Sequence, residues 1–182
     1  HSKSLDNFKK MSIPIFAPYQ RNYNKKNYGG FTIYPFPLQT LDGNWTHTDA
    51  NGEPCPIYGF MITHMEMGRM LYITDCEVVK WKFRDINHIL LGVNYDKNLI
   101  DTDNPKANHV FRGHLSIDTA CDFVKANDSD SLQNVIMCHL SSENSDRDSF
   151  IEKMKKVACG ANVDVAERNK EWVLRKGDEC PF

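Results

Sequence analysis

The feature that most constrains this chain is the alternation in its second half. HILLGV (88–93) and VIMCHL (135–140) are short apolar runs of strand length, and runs of that kind read as buried strands. Between them Ile117, Ala120, Cys121 and Val124 recur at helical spacing, with Ser116 placed to cap the N-terminus. Phe150, Ile151, Met154, Val157 and Ala158 mark a second amphipathic helix, opened by Ser145 and Asp146. ANVDVA (161–166) and EWVL (171–174) read as a terminal hairpin or edge pair. Strands alternating with helices specify an α/β protein, or a mixed (α+β) sheet covered by helices.

The first half is less regular. Residues 2–10 read as a short helix, 13–18 (IPIFAP) as a strand ended by Pro18, and 20–30 as a polar, turn-rich loop. FTIYPFPL (31–38) is a strand whose prolines put its end at an edge. Residues 41–56 hold Asp-Gly, Asn-Gly and two prolines and read as a long loop of the kind that forms sites. IYGFMITHM (57–65) and RMLYIT (69–74), joined by Glu-Met-Gly, read as a hairpin.

Size and composition bound the rest. A chain of 182 residues suits one domain, taken as 1–182. The hydrophobic fraction of 41% and charged fraction of 25% are those of a globular protein. No apolar run approaches the ~20 residues of a membrane span, and HSKSLDNFKK does not read as a secretory leader. The missing initiator Met suggests processing or a fragment. A net charge of −2 gives no global pull toward nucleic acid, so any phosphate-binding surface is local. The six cysteines are scattered, without a CxxC pair. They are expected as reduced thiols in a cytoplasm, and their spacing argues against a cysteine zinc site.

Chemistry is most visible in an echo. His-Leu-Ser occurs at 114–116 and at 139–141, each time ahead of an amphipathic helix. The plainer reading is that these segments cap the helices that come after them. LYITDCE (71–77), however, runs another apolar strand into Asp75. Asp75, His114 and His139 would then all stand at strand ends, where open sheets collect ligands. Two histidines and a carboxylate are a common set for binding a divalent metal and activating water. Lys80, Lys82 and Arg84, interleaved with Trp81 and Phe83, form a basic-aromatic stretch. It reads first as an edge strand with solvated lysines, and second as a nucleic-acid contact. His64 reads as a turn residue, His88 as structural and His109 as solvated.

Taken together and in order, ITDCE, GVNYD, GHLSIDTA and VIMCHLSSEN resemble the C-terminal motifs of metallo-β-lactamase-fold hydrolases. The likeness is to the small bacterial and phage branch related to tRNA 3′-processing endonucleases and cyclic-nucleotide phosphodiesterases. It covers nearly the whole chain and is most specific from Leu71 onward. The opening His-Ser-Lys-Ser-Leu resembles the end of the HxHxDH motif of that branch and the residues just after it, with His1 as the last histidine of the motif.

The resemblance implies a metallo-β-lactamase-like αββα sandwich, apparently lacking its N-terminal strands. It implies a divalent metal, zinc or alternatively manganese, with His1 and His139 on the second metal and Asp75 bridging two. His114 would stand near the scissile phosphate as a general acid, and Asn94, Tyr95 and Asp96 would shape the pocket. There are two departures. The leading residues of HxHxDH are absent, and the family's next metal histidine would fall at Gln39-Thr40, where Thr40 is a poor zinc ligand. His47, in the following loop, is the available substitute.

The expected activity is metal-dependent hydrolysis of a phosphodiester in RNA, DNA or a cyclic nucleotide. The alternatives are a catalytically inactive interaction module and a nucleic-acid-binding domain built on 80–84. An incomplete sandwich exposes apolar surface, so a homo-oligomer, a missing N-terminal segment or a partner is expected to cover it.

Overall fold

The computed structural model describes residues 5–18, 25–49, 51–104 and 107–177. Seven strands form one mixed sheet: β1 (Lys26–Tyr28), β2 (Phe31–Pro37), β5 (Tyr58–His64), β6 (Gly68–Ile73), β7 (His88–Gly92), β8 (Asn134–Cys138) and β9 (Asn162–Val165), in that spatial order. The first four are antiparallel neighbours, and β6 to β9 run parallel. A two-stranded pair, β3 (His47–Thr48) with β4 (Pro54–Cys55), stands apart from it. The helices are α1 (Leu5–Lys10), α2 (Ala107–Gly113), α3 (Ile117–Asn127) and α4 (Arg147–Lys155). The mixed α/β class therefore holds. Among the described residues the second sheet of a sandwich is represented only by the β3–β4 pair.

Alternation along the strands puts Leu71, Ile73, Ile89, Leu91, Val135 and Met137 on one face of the sheet. That face packs on Ile117, Ala120 and Val124 of α3 and on Phe150 and Met154 of α4, all buried in one core. Each of the large side chains contributes about 1.5–3 kcal/mol through burial. Ser116 caps α3 by accepting from the Thr119 backbone N–H, and Asp146 caps α4 through Ser149. Because α2 and α3 connect β7 to β8 and α4 connects β8 to β9, the C-terminal ends of the parallel strands share one edge. The opposite face carries Ile33, Phe60, Ile62, Met70, Tyr72 and Leu90, which are half-buried.

Several local expectations are corrected. Residues 13–18 do not join the sheet, since Pro14 and Pro18 cannot donate to a ladder. Phe16 instead lies against Phe60, ring centroids 6.4 Å apart. The stretch read as loop contains β1, which turns into β2 through Gly29 and Gly30, both at positive φ. Among the described residues no terminal hairpin forms. β9 is a parallel edge strand, and residues 171–174 are irregular. Asp164 holds that segment, accepting from Trp172 Nε1 at 2.9 Å. Residues 80–84 are irregular as well, not an edge strand. His64 stands at the end of β5 with its ring 4.5 Å from that of Phe31. His1 and Cys180 lie outside the described residues, as does the side chain of His109. No helix among the described residues is long and apolar enough to cross a membrane.

Candidate metal centre

Asp75 follows β6 by two residues and His139 follows β8 directly. Both adopt left-handed backbone conformations, φ 59° and 62°. A non-glycine residue held there costs of order 1–3 kcal/mol, and such residues cluster at functional sites. The turns re-aim the two side chains off the ends of parallel strands toward each other. His139 Nε2 lies 3.3 Å from Asp75 Oδ1.

His114 arrives from the α2–α3 junction, with Nδ1 3.6 Å from the same Asp75 oxygen. Its ring centroid is 5.1 Å from that of His139 and 5.8 Å from that of His47. His47 comes from β3, in the long loop between β2 and β5. Thr46 Oγ1 lies 2.9 Å from His47 Nδ1, which steadies the ring. The backbone at Gly113 approaches this ring closely, for a Cβ there would sit 3.5 Å from His47 Cε1.

One donor atom each from His47, Asp75 and His114 lies within 4.8 Å of the others. Two imidazoles and a carboxylate, partly shielded from solvent, fit a divalent cation of the zinc or manganese type. The Asp75 side chain is 14% exposed and His114 15%, whereas His139 is 40% exposed and open to an incoming molecule. Two thiols flank the set without joining it. Burial, and then the Asp75 charge, push Cys76 up to about 12 and Cys138 up to about 11. Both thiols stay protonated at neutral pH in the metal-free protein.

The structure thus brings together three sequence-derived candidates, Asp75, His114 and His139. It adds His47, which sequence reasoning held only as a substitute for Thr40. Thr40 is engaged elsewhere, its Oγ1 accepting from the Asn44 backbone N–H at 3.1 Å. The available signal for His47 was a histidine in a long Gly- and Pro-punctuated loop.

The strand-end segment after β7 holds the site from beneath. The Asn94 N–H donates to Leu115 O at 2.9 Å, and the Ser141 N–H donates to Asn94 O at 2.9 Å. The Ile117 N–H donates to Tyr95 O, and the Asp96 N–H to Asn144 O. Asp96 is further tied to α4 through Lys153 Nζ at 2.7 Å, a bond that holds its carboxyl below the usual range.

No protein-family model matches the chain, and no curated protein sequence does. Solved structures do match. The metallo-β-lactamase-fold protein YhfI from Bacillus subtilis aligns over 92% of this chain and 60% of its own, with a TM-score of 0.55 at 16% identity. The isothiocyanate hydrolase from Delia radicum gut bacteria aligns over 96% of this chain and 65% of its own, with a TM-score of 0.58 at 10% identity. The chain therefore spans less than two thirds of the length of these structures. With its mixed sheet and helical cover, it has a metallo-β-lactamase-like fold.

Proposed function

We propose that the chain carries the catalytic centre of a metal-dependent hydrolase that cleaves phosphodiesters. The observation that carries this reading is the convergence of His47, Asp75, His114 and His139, from four separate segments, on one sheet edge. His47, Asp75 and His114 would hold a first divalent cation, and Asp75 with His139 a second, so that Asp75 is shared. His1, which the family resemblance places with His139, is the further ligand proposed for that second position. A divalent cation held there supplies Lewis acidity, making water ionisable near neutral pH and polarising a substrate oxygen.

The chain's own residues do the rest. The Asp75 carboxylate, 3.3 Å from His139 Nε2 and 3.6 Å from His114 Nδ1, orients both neighbouring imidazoles by its charge. The open His139 side admits substrate. Were a cation held on that side alone, His114, as the imidazolium beside Asp75, would contact the phosphoryl group and give its proton to the leaving oxygen.

Support for a phosphodiester substrate comes from the motif resemblance and from one surface feature. Trp81 is 46% exposed, yet its Nε1 donates to Pro37 O at 3.1 Å, while Lys80 Nζ donates to Leu41 O at 3.1 Å. The basic-aromatic stretch is thereby tied to the segment that leads to His47. Stacking on an exposed indole and contacts from Lys82 and Arg84 suit a nucleic-acid strand.

The test is elemental analysis of the chain after reconstitution with zinc or manganese, alongside an Asp75→Ala, His139→Ala double variant and His47→Ala. Stoichiometric metal in the parent, lost in the double variant and weakened in His47→Ala, is expected. Metal-dependent cleavage of bis(p-nitrophenyl) phosphate should fall in the same order. A parent that takes up no metal refutes the hydrolase reading and leaves an interaction module in its place.

A further inference from the structure

The two His-Leu-Ser segments are not independent. Both are stitched to one residue, Asn94, at the end of β7. Its backbone N–H donates to the carbonyl of Leu115, next to His114, and its backbone carbonyl accepts from Ser141, two residues beyond His139. Its side-chain Nδ2 donates to the carbonyl of His139 itself at 2.8 Å. A parallel bridge between Tyr95 and Ser116 continues the contact on the first side. The serine of each copy then closes the next turn. Ser116 Oγ accepts from the Thr119 N–H, and Ser141 Oγ accepts from the Asn144 N–H at 3.2 Å. In each copy the histidine faces the site and the serine anchors the chain beyond it.

We infer that Asn94 is a positioning residue for the proposed metal centre, whose side-chain amide holds His139 in the left-handed turn that aims its imidazole at Asp75. The backbone bonds of Asn94 set the separation of the two histidine segments and survive any side-chain change. The side-chain bond is different, because it acts on one residue. The φ of 62° at His139 is unfavourable for a side chain that is not glycine. A turn of that kind persists only when its surroundings over-determine it. The Asn94 amide satisfies the His139 carbonyl, which the strand ladder no longer reaches. Without that donor the peptide relaxes, and the His139 ring leaves the 3.3 Å approach to Asp75. The role requires a donor of asparagine's reach. Aspartate has the same shape but sets an acceptor against a carbonyl.

This inference rests on the metal-centre reading above, and its test separates the two. Cobalt(II) is titrated into the parent chain, Asn94→Ala and Asn94→Asp. The visible d–d absorption reports the ligand set, and the titration reports affinity. Partners that orient a ligand typically change metal affinity roughly 10–100-fold when removed. Both variants are expected to lose affinity in that range and to show an altered cobalt spectrum. Their metal-free melting temperatures should stay close to the parent's, which a purely structural role would not predict. Should Asn94→Ala fail to fold, the isosteric Asn94→Asp carries the test alone. Variants that bind cobalt with the parent's affinity and spectrum overturn the positioning role while leaving the centre intact. A parent that shows no cobalt spectrum overturns the centre, and the positioning role with it.

Discussion

At the scale of single residues, His88 shows how a histidine can be structural in a chain proposed to use others for chemistry. It is 1% exposed. Its Nε2 lies 3.0 Å from Met67 O, and its Nδ1 lies 2.9 Å from Asn134 Nδ2. A carbonyl on one nitrogen and an amide donor on the other select the neutral ring protonated at Nε2. Burial, partly countered by its backbone hydrogen bonds, holds the His88 pKa below its ordinary value. The unfolded chain therefore takes up a proton before the native one does. The associated stability is fully present above the unfolded value of about 6.5 and is lost as pH falls below it. Urea unfolding midpoints measured from about pH 7 down to about pH 5 should fall for the parent and fall less steeply for His88→Gln. Equal slopes in the two proteins would remove His88 from the account.

At the scale of elements, the turn between β5 and β6 shows how a short connection is specified. Gly68 has φ 80°, and a Cβ there would collide with the Asn87 side chain. Asn87 cannot retreat cheaply. Its Oδ1 accepts from the Arg69 N–H at 2.9 Å and its Nδ2 donates to Ser131 O at 3.2 Å, joining the turn to the start of β7 and to the segment before β8. Gly68→Ala is expected to cost about 2–3 kcal/mol, read as a lowered urea midpoint. A loss under about 0.5 kcal/mol, the scale of an ordinary surface substitution, would show that the turn relaxes freely. The same elements show what the sequence made legible. The helix at 117–127 and the strands at 88–92 and 134–138 are marked by strong apolar patterning, and the helix by its Ser116 cap. The segment at 13–18 has the apolar content of a strand, but its prolines deny it a ladder partner, and composition alone does not weigh that denial. Lys80 to Arg84 alternate as a strand would. Their polar ends are instead drawn to Pro37 and Leu41, contacts made 44 and 39 residues away in sequence.

At the scale of the whole molecule, the two faces of the sheet are treated unequally. Helices bury one. The other, with Phe60, Ile62, Met70 and Tyr72, is covered in part by Phe16 on one side. On the other side Trp172 and Leu174 border a groove of about 370 Å³. An apolar face left half-covered favours association. In this chain as it stands, concentration-dependent self-association through that face is the expected behaviour, measured by light scattering after size exclusion. Ile62→Glu, which places a charge in the middle of the face, should shift the population toward monomer. A parent that stays monomeric at high concentration would contradict this expectation.

The sequence alone determined the alternation of strands and helices, their caps, and the positions of Asp75 and His139 at strand ends, because these are local matters of periodicity and turn chemistry; His114, expected at a strand end as well, instead follows helix α2. It also carried the likeness to metallo-β-lactamase-fold hydrolases. Only the tertiary structure decided that His47 joins those residues, since a loop residue 28 positions before Asp75 has no local signal for where its ring arrives. The common clamp at Asn94 was equally hidden. It is made of backbone and amide hydrogen bonds between segments 21 and 45 residues apart, and such bonds exist only once the parallel strands have brought their ends to one edge.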